Sequence, residues 1–323
     1  MKRVSPAASA VLLASTFACA LCAAQDGSSA SIAQTGSGNR SFIGQVNTGD
    51  VIAEIVQRGT NNMAGDPASQ TGGITQIDAP DLRAWIDQSG DANRAAVTQR
   101  GGWHTIADQV QSGAANVSAV RQVEAYETVI RVAQSGARNQ VDGDAAETLA
   151  NGFTAVQTGD GNTLAVVNRH NGFSTNDSRQ EGVTNDATMQ QADAIYTSQE
   201  IAQLGERNRA IATTNGTSNS SYRITQQGAD NLAANRSTAE RANGTLTQTG
   251  ERHAATAAQR GADTDYTIVQ LGNRNTVSLV QAGAGRSTAT DLPSQAVVTQ
   301  AGSGLQASLA QTGASNRGFI VQQ

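Results

Sequence analysis

Aliphatic and polar residues alternate along this chain in short runs, and one run recurs in a fixed frame. Two residues before a Gln the side chain is usually aliphatic (Ile32, Ile55, Ile86, Val132, Ile201, Ile224, Leu246, Ile268, Val298), and six before it the residue is usually Ser, Thr or Asn. After the Gln come a Gly at two, an Asn at five, a small residue at seven, an aliphatic at nine and often a second Gln at eleven, as in the segment from Gln88 to Gln99. On either side of the arc the marked positions lie two apart, and residues two apart share one face of a strand, so the pattern predicts strands and not helices.

The frame begins at Gln34, Gln57, Gln88, Gln111, Gln134, Gln157, Gln180, Gln203, Gln226, Gln248, Gln270 and Gln300. Seven of the gaps are 23 residues, two are 22, and two are longer, at 31 and 30. Such a period belongs to one supersecondary unit stacked on itself. Each unit reads as a seven-residue strand ending at the first Gln, a four-residue arc, a second seven-residue strand ending at the second Gln, and a five-residue arc. The expected fold class is all-β: a single-chain β-solenoid with two strands per turn of 22 to 23 residues, about twelve turns plus a terminal strand at 316–322, and two facing parallel sheets.

Three sets of residues carry this fold. The first Gln of each unit forms an inner ladder. A second inner ladder is expected from Asn39, Asn93, Asn116, Asn139, Asn162, Asn185, Asn208, Asn231 and Asn275. At the reversal stand Gly36, Gly59, Gly90, Gly113, Gly136, Gly159, Gly182, Gly205, Gly228, Gly250, Gly272 and Gly302, where a residue without Cβ turns the chain without steric cost. Charge tests the register: no position assigned to the inside holds Asp, Glu, Lys or Arg, although the chain has 27 acidic residues and 22 Lys and Arg. Burying an unpaired charge costs several kcal/mol, which is reason enough for the exclusion. The two long gaps are expected to be arc insertions near 58–69 and 282–293, with Pro67, Pro80 and Pro293 in the loops because proline cannot donate to a ladder.

Residues 1–24 differ from the rest. Met1-Lys2-Arg3 is basic, Val11 to Leu21 is a short apolar run, and Cys22-Ala23-Ala24 offers small residues before Gln25, the signature of a cleaved secretory signal peptide. The array proper is expected over 25–323. Both cysteines, Cys19 and Cys22, fall in the leader, so the exported chain would hold no thiol and no disulfide. The net charge is −5, and −7 once Lys2 and Arg3 are removed, which lacks the basic footprint of a nucleic-acid binder.

No catalytic or metal constellation emerges. His104, His170 and His253 are the three histidines, and each is isolated from any partner set. Asp142-Gly143-Asp144 and Asp263-Thr264-Asp265 do not recur with the period, as the ligands of a calcium-binding β-roll would. No enzyme activity, cofactor, metal or small-molecule substrate is expected.

The frame Ser-x5-Gln-x-Gly-x2-Asn-x-Ala-x3-Gln resembles the curlin repeat of curli, the extracellular amyloid fibres of bacteria. Ser28 to Gln45 reproduces it with Ser41 in place of Ala, two further close copies lie between Thr245 and Gln281, and the similarity covers residues 28–323. The resemblance implies a two-stranded β-solenoid, export through a dedicated outer-membrane pore, a nucleator subunit as partner, and growth into biofilm fibres that serve adhesion. Two departures stand out: little chain separates the leader from the first repeat, and twelve units exceed the family's usual handful.

The physics of the array leads the same way. Stacked strand spacing makes about twelve turns a rod of about 58 Å whose ends are strand edges, and an unblocked edge templates the next copy. The trailing edge is expected at Phe319, Ile320, Val321 and Gln322. The expected function is thus a structural subunit of a secreted cell-surface fibre with itself as partner. The rivals are a minor nucleating subunit of the same fibre and a monomeric surface- or ice-binding solenoid.

Overall fold

The computed structural model describes residues 8–12, 18–24, 27–65, 72–283 and 293–323. Every regular element among them is a β-strand. The fold is an all-β solenoid with two strands per turn and two parallel sheets, and it divides into two compact units, Met1–Gly161 and Asn162–Gln323.

In the first unit, Ser29–Ser37, Ile52–Thr60, Leu82–Asp91, Thr105–Ala114, Val129–Ala137 and Gly152–Asp160 lie side by side in parallel. Their register sets Gln34 against Gln57, then Gln88, Gln111, Gln134 and Gln157 in turn. The alternate strands, among them Arg40–Thr48, Arg94–Arg100, Val117–Val123 and Gln140–Ala146, make the other sheet. The second unit repeats the scheme: Gln180, Gln203, Gln226, Gln248, Gln270, Gln300 and Gln322 pair in sequence through one sheet.

The core follows the predicted alternation. Among the described Asp, Glu, Lys and Arg residues only Asp263 is buried. It lies in an arc, held by Nε and Nη2 of Arg241 at 2.9 Å each, a bidentate pairing that compensates the burial. Other inter-turn pairs, such as Arg121 with Asp144 and Arg58 with Asp87, sit on the outer face.

Volume is balanced between the two sheets. Where the second sheet carries Gln45, Gln76, Gln99 and Gln122, the position four before the first Gln is Ala30, Ala53, Ala84 and Ala107, all buried. Where the second sheet shrinks to Ala145, Thr214 or Ser237, that position grows to Ile130, Gln199 or Tyr222. Contacts bear out the exchange: Gln199 Nε2 donates to Thr214 Oγ1 at 3.1 Å, and Tyr222 Oη to Ser237 Oγ at 2.6 Å. Gly244 separates Tyr222 from Tyr266 along the sheet, and a Cβ on it would stand 2.3 Å from the Tyr266 ring. A close-packed interior admits such substitutions only in compensating pairs.

Three features depart from the expected layout. The first strand of each unit runs past its Gln and includes the Gly, as in Ser29–Ser37, so the arc is only Gly38-Asn39 and not four residues. Reversal falls on the residue four after the Gln, which takes positive φ even when it is Ala115, Arg138 or Thr184 (φ 55°, 53° and 51°).

The first insertion also lies elsewhere. Arg58 to Thr60 remain in strand, Asn62 keeps the frame, and Met63–Ala64 begins the second strand, which resumes at Gly73–Ile77. Chain leaves between Gly65 and Gly72, whose backbones approach so closely that a Cβ on Gly65 would sit 2.8 Å from the Gly72 carbonyl carbon. Gln70 and Thr71 lie outside the described residues.

Before residue 25, Ala8–Leu12 pairs with Ser29–Ser37 and Ala18–Ala24 with Arg40–Thr48, both parallel. Leu12 stands opposite Gln34, and Cys22 opposite Gln45.

Candidate assembly site

The twelve predicted Gln all lie on strands in one type of sheet, and all but the half-exposed Gln34 are buried. Within the first unit Nε2 donates to the next Oε1 from Gln34 to Gln57 (2.6 Å), Gln57 to Gln88 (2.7 Å), and Gln88 to Gln111, Gln111 to Gln134 and Gln134 to Gln157 (2.8 Å each). Within the second unit the same chain runs from Gln180 through Gln203, Gln226, Gln248, Gln270 and Gln300 to Gln322 at 2.7–3.0 Å. The other amide hydrogen crosses the core to a backbone carbonyl of the facing sheet, as from Gln111 to Arg94 O at 2.9 Å. Each carboxamide is thereby satisfied in a dry interior, and each spans three strands.

The ladder has direction. Nε2 always points towards the later turn and Oε1 towards the earlier one, so a stack of such turns offers donors at one end and acceptors at the other.

The Asn ladder secures the arcs, and between its side chains it runs the opposite way, Asn116 Nδ2 donating to Oδ1 of Asn93 in the earlier turn at 3.0 Å. Asn116 donates to Ser112 O and to Gly136 O of the next turn at 3.0 Å each, while its Oδ1 receives the backbone N–H of Asn139 at 3.0 Å. The nine predicted Asn are buried in this role. Asn62 belongs to it as well: it donates to Gly90 O and accepts from Asn93 N. It lies five after Gln57, so the frame itself could have found it. At the corresponding place in the second unit stands buried His253, whose Nε2 bonds Thr249 O at 3.1 Å and whose Nδ1 accepts from Asn275 N at 3.3 Å. Its ring imitates two of the Asn contacts, with the proton on Nε2.

All twelve predicted Gly have φ between 104° and 147°. Stacking is a second constraint, because a Cβ on Gly36, Gly113 or Gly205 would sit 2.0 Å from the carbonyl oxygen of the Gly one turn later. That carbonyl is the one the Asn amide holds, so Gly and Asn form a single clamp.

The outermost strands of the two sheets at the later end are Gln306–Thr312 and Arg317–Gln322. The predicted edge residues are there, with Phe319 64 % and Val321 66 % exposed on the outer face and Ile320 and Gln322 turned inward. The second sheet carries its own Gln ladder, Gln45 to Gln76 to Gln99 to Gln122 and Gln259 to Gln281 to Gln311, at 2.8–3.3 Å.

His104 and His170 are exposed in arcs, next to Asp81 and Asp193 respectively. Among the described residues no group of three or more His, Cys, Asp or Glu is placed to hold a metal ion. Searches against known protein families and against curated proteins return no match.

Proposed function

We propose that this chain is a structural subunit of an extracellular, curli-like amyloid fibre, exported by its leader and polymerised by end-to-end stacking of edge strands. The observation that carries the reading is the directional Gln ladder. Gln311 and Gln322 hold the Oε1 side in the preceding turn's bond, with Gln281 and Gln300 as donors. Their own Nε2 groups bond one backbone carbonyl each, Gln295 O and Gln306 O at 3.0 Å, leaving an amide hydrogen directed towards a further rung. A turn added there would continue both ladders and both sheets with bonds the fold already makes many times over. At about 1 kcal/mol net per bond, two ladders and two strand pairings make a strong joint.

By the resemblance drawn from the repeat, the fibre serves adhesion within a biofilm matrix and starts from a nucleator after passage through an outer-membrane pore. Electron microscopy of the exported chain left in buffer tests the reading. Long unbranched fibres are the expected result, and a persistent population of single particles at high concentration excludes it.

A further inference from the structure

The two strands at the later end, Gln306–Thr312 and Arg317–Gln322, are near copies of the first two after the leader, Ser29–Ser37 and Arg40–Thr48, but shifted by one strand. From Ser308 to Gln322 the chain reads SLAQTGASNRGFIVQ, and from Ser31 to Gln45 it reads SIAQTGSGNRSFIGQ. Only four positions change beyond the exchange of Leu for Ile. In the early copy Gln34 opens its unit in the sheet of first strands, whereas Gln311 lies in the sheet of second strands, at the end of the ladder from Gln259 and Gln281.

The arcs agree as closely as the letters. Gly313 has φ 104° against 106° for Gly36, Ser315 takes positive φ where Gly38 does, and Asn316 Nδ2 donates to Thr312 O at 2.7 Å as Asn39 Nδ2 donates to Thr35 O at 3.1 Å. No other arc after a second strand joins a Gly two after its Gln to an Asn five after that Gln: Gly101 is followed by His104, Gly261 by Thr264 and Gly283 by Arg286. First-type arc chemistry therefore closes the later end on the side where second-type arcs belong.

We infer that copies of this chain join with the incoming first turn rotated by half a turn about the stacking axis. Ser29–Ser37 of the incoming copy lies on Gln306–Thr312, and Arg40–Thr48 lies on Arg317–Gln322. This inference rests on the fibre reading given above and specifies the partner and register of its joint.

Rotation by half a turn exchanges the two sheets and reverses every strand, and because the strands of the two sheets, joined by short arcs, run in opposite directions, the new pairs remain parallel. Gln311 then donates to Gln34 of the next copy and Gln322 to its Gln45, while Ile320 meets Ile43 and Leu309 meets Ile32. The free hydrogen of the Asn316 amide reaches the incoming Gly36 carbonyl, and Asn316 Oδ1 receives the incoming Asn39 N–H, which repeats the clamp seen between Asn116 and Asn139. A joint without rotation sets Gln322 on Gln34 but leaves Gln306–Thr312 unpaired by one strand, with the Asn316 amide facing no counterpart. Head-to-tail joining of this kind does not close on itself and yields a filament.

The leader bears on the same joint. Its strands Ala8–Leu12 and Ala18–Ala24 pair with Ser29–Ser37 and Arg40–Thr48, on the strands that the preceding copy must cover. Removing the leader is therefore a condition for growth at this end.

Disulfide trapping tests the register in the exported chain, which has no cysteine of its own once Cys19 and Cys22 leave with the leader. Thr35 and Thr312 are exposed, and the half-turn joint sets them opposite each other across a strand spacing of about 4.8 Å, inside the Cα separation a disulfide allows. The unrotated joint instead sets Thr35 opposite Gln323. The pair Thr35→Cys and Thr312→Cys should give a ladder of covalent oligomers when fibres are oxidised, and the pair Thr35→Cys and Gln323→Cys should not. The reverse result, or fibres that trap neither pair, overturns the half-turn joint while leaving the fibre reading intact. Absence of fibres from the unaltered exported chain removes both.

Discussion

Gln88 donates its carboxamide hydrogen to Oε1 of Gln111 at 2.8 Å, across a single strand spacing and 23 residues of sequence. Gln111 hands the same bond to Gln134 and sits at 0 % exposure, while its neighbour Val110 points outward with 38 % exposed. Gln111→Lys places an unpaired ammonium in the ladder and should cost about 3 kcal/mol or more, enough to delay or abolish assembly. Val110→Lys should change stability by less than about 0.5 kcal/mol. Denaturant midpoints and growth curves of the two variants check the inward register, and equal effects would refute it.

Stacked glycines make a sharper test of packing. Gly113→Ala must both hold φ near 104° and clear the Gly136 carbonyl, so a loss of more than about 1 kcal/mol is expected. At Gly172, which has neither positive φ nor any atom within 4 Å of an added Cβ, alanine should be nearly silent. Thermal unfolding of the two variants distinguishes a conformational and steric role from a merely local one.

His253 makes fewer of the bonds that an asparagine makes at that place in the other turns. An asparagine side chain there could donate to Gly272 O and Thr249 O and accept from Asn275 N, so His253→Asn should stabilise the second unit by about 0.5–1.5 kcal/mol. A rise in the denaturant midpoint is the expected outcome. A fall would mean that the imidazole packs in a way the amide cannot replace.

Burial raises the ionisation of Tyr222 and Tyr266 above the ordinary tyrosine range, foremost by desolvation. Because the folded state holds these protons more tightly than the unfolded chain, their contribution to stability is complete below about pH 10 and is lost as pH rises beyond it. An absorbance titration should show part of the tyrosinate signal of the four tyrosines appearing only together with loss of β circular dichroism. Replacing both Tyr222 and Tyr266 by Phe should remove that late component. Ionisation complete before any loss of structure would contradict their placement.

Most of the architecture was legible because the inside of a solenoid is monotonous. Gln34 to Gln300 and the alternating aliphatics had to recur at fixed spacing for the rungs to meet, and a single charge would have betrayed a wrong register. The arcs were less legible. Reading Gly36 as the reversal placed the turn too early, since stacking, which leaves no room for a Cβ beside the Gly59 carbonyl, also requires glycine inside a strand. The first insertion shows its length in the sequence, but its closed neck at Gly65 and Gly72 depends on a backbone approach that no residue pattern marks. Gln311-Thr312-Gly313 is hidden for the opposite reason: it falls half a period out of step with the Gln that open the units.

The claim most exposed to a single measurement is that stacked turns continue from one copy to the next. X-ray fibre diffraction from an aligned sample of residues 25–323 addresses it directly. End stacking gives a sharp meridional reflection at about 4.7–4.8 Å, with strands perpendicular to the fibre axis and a diffuse equatorial reflection near 10 Å, roughly the spacing of the facing sheets. Fibres whose strand-spacing reflection lies on the equator would show solenoids laid side by side and contradict growth by end stacking.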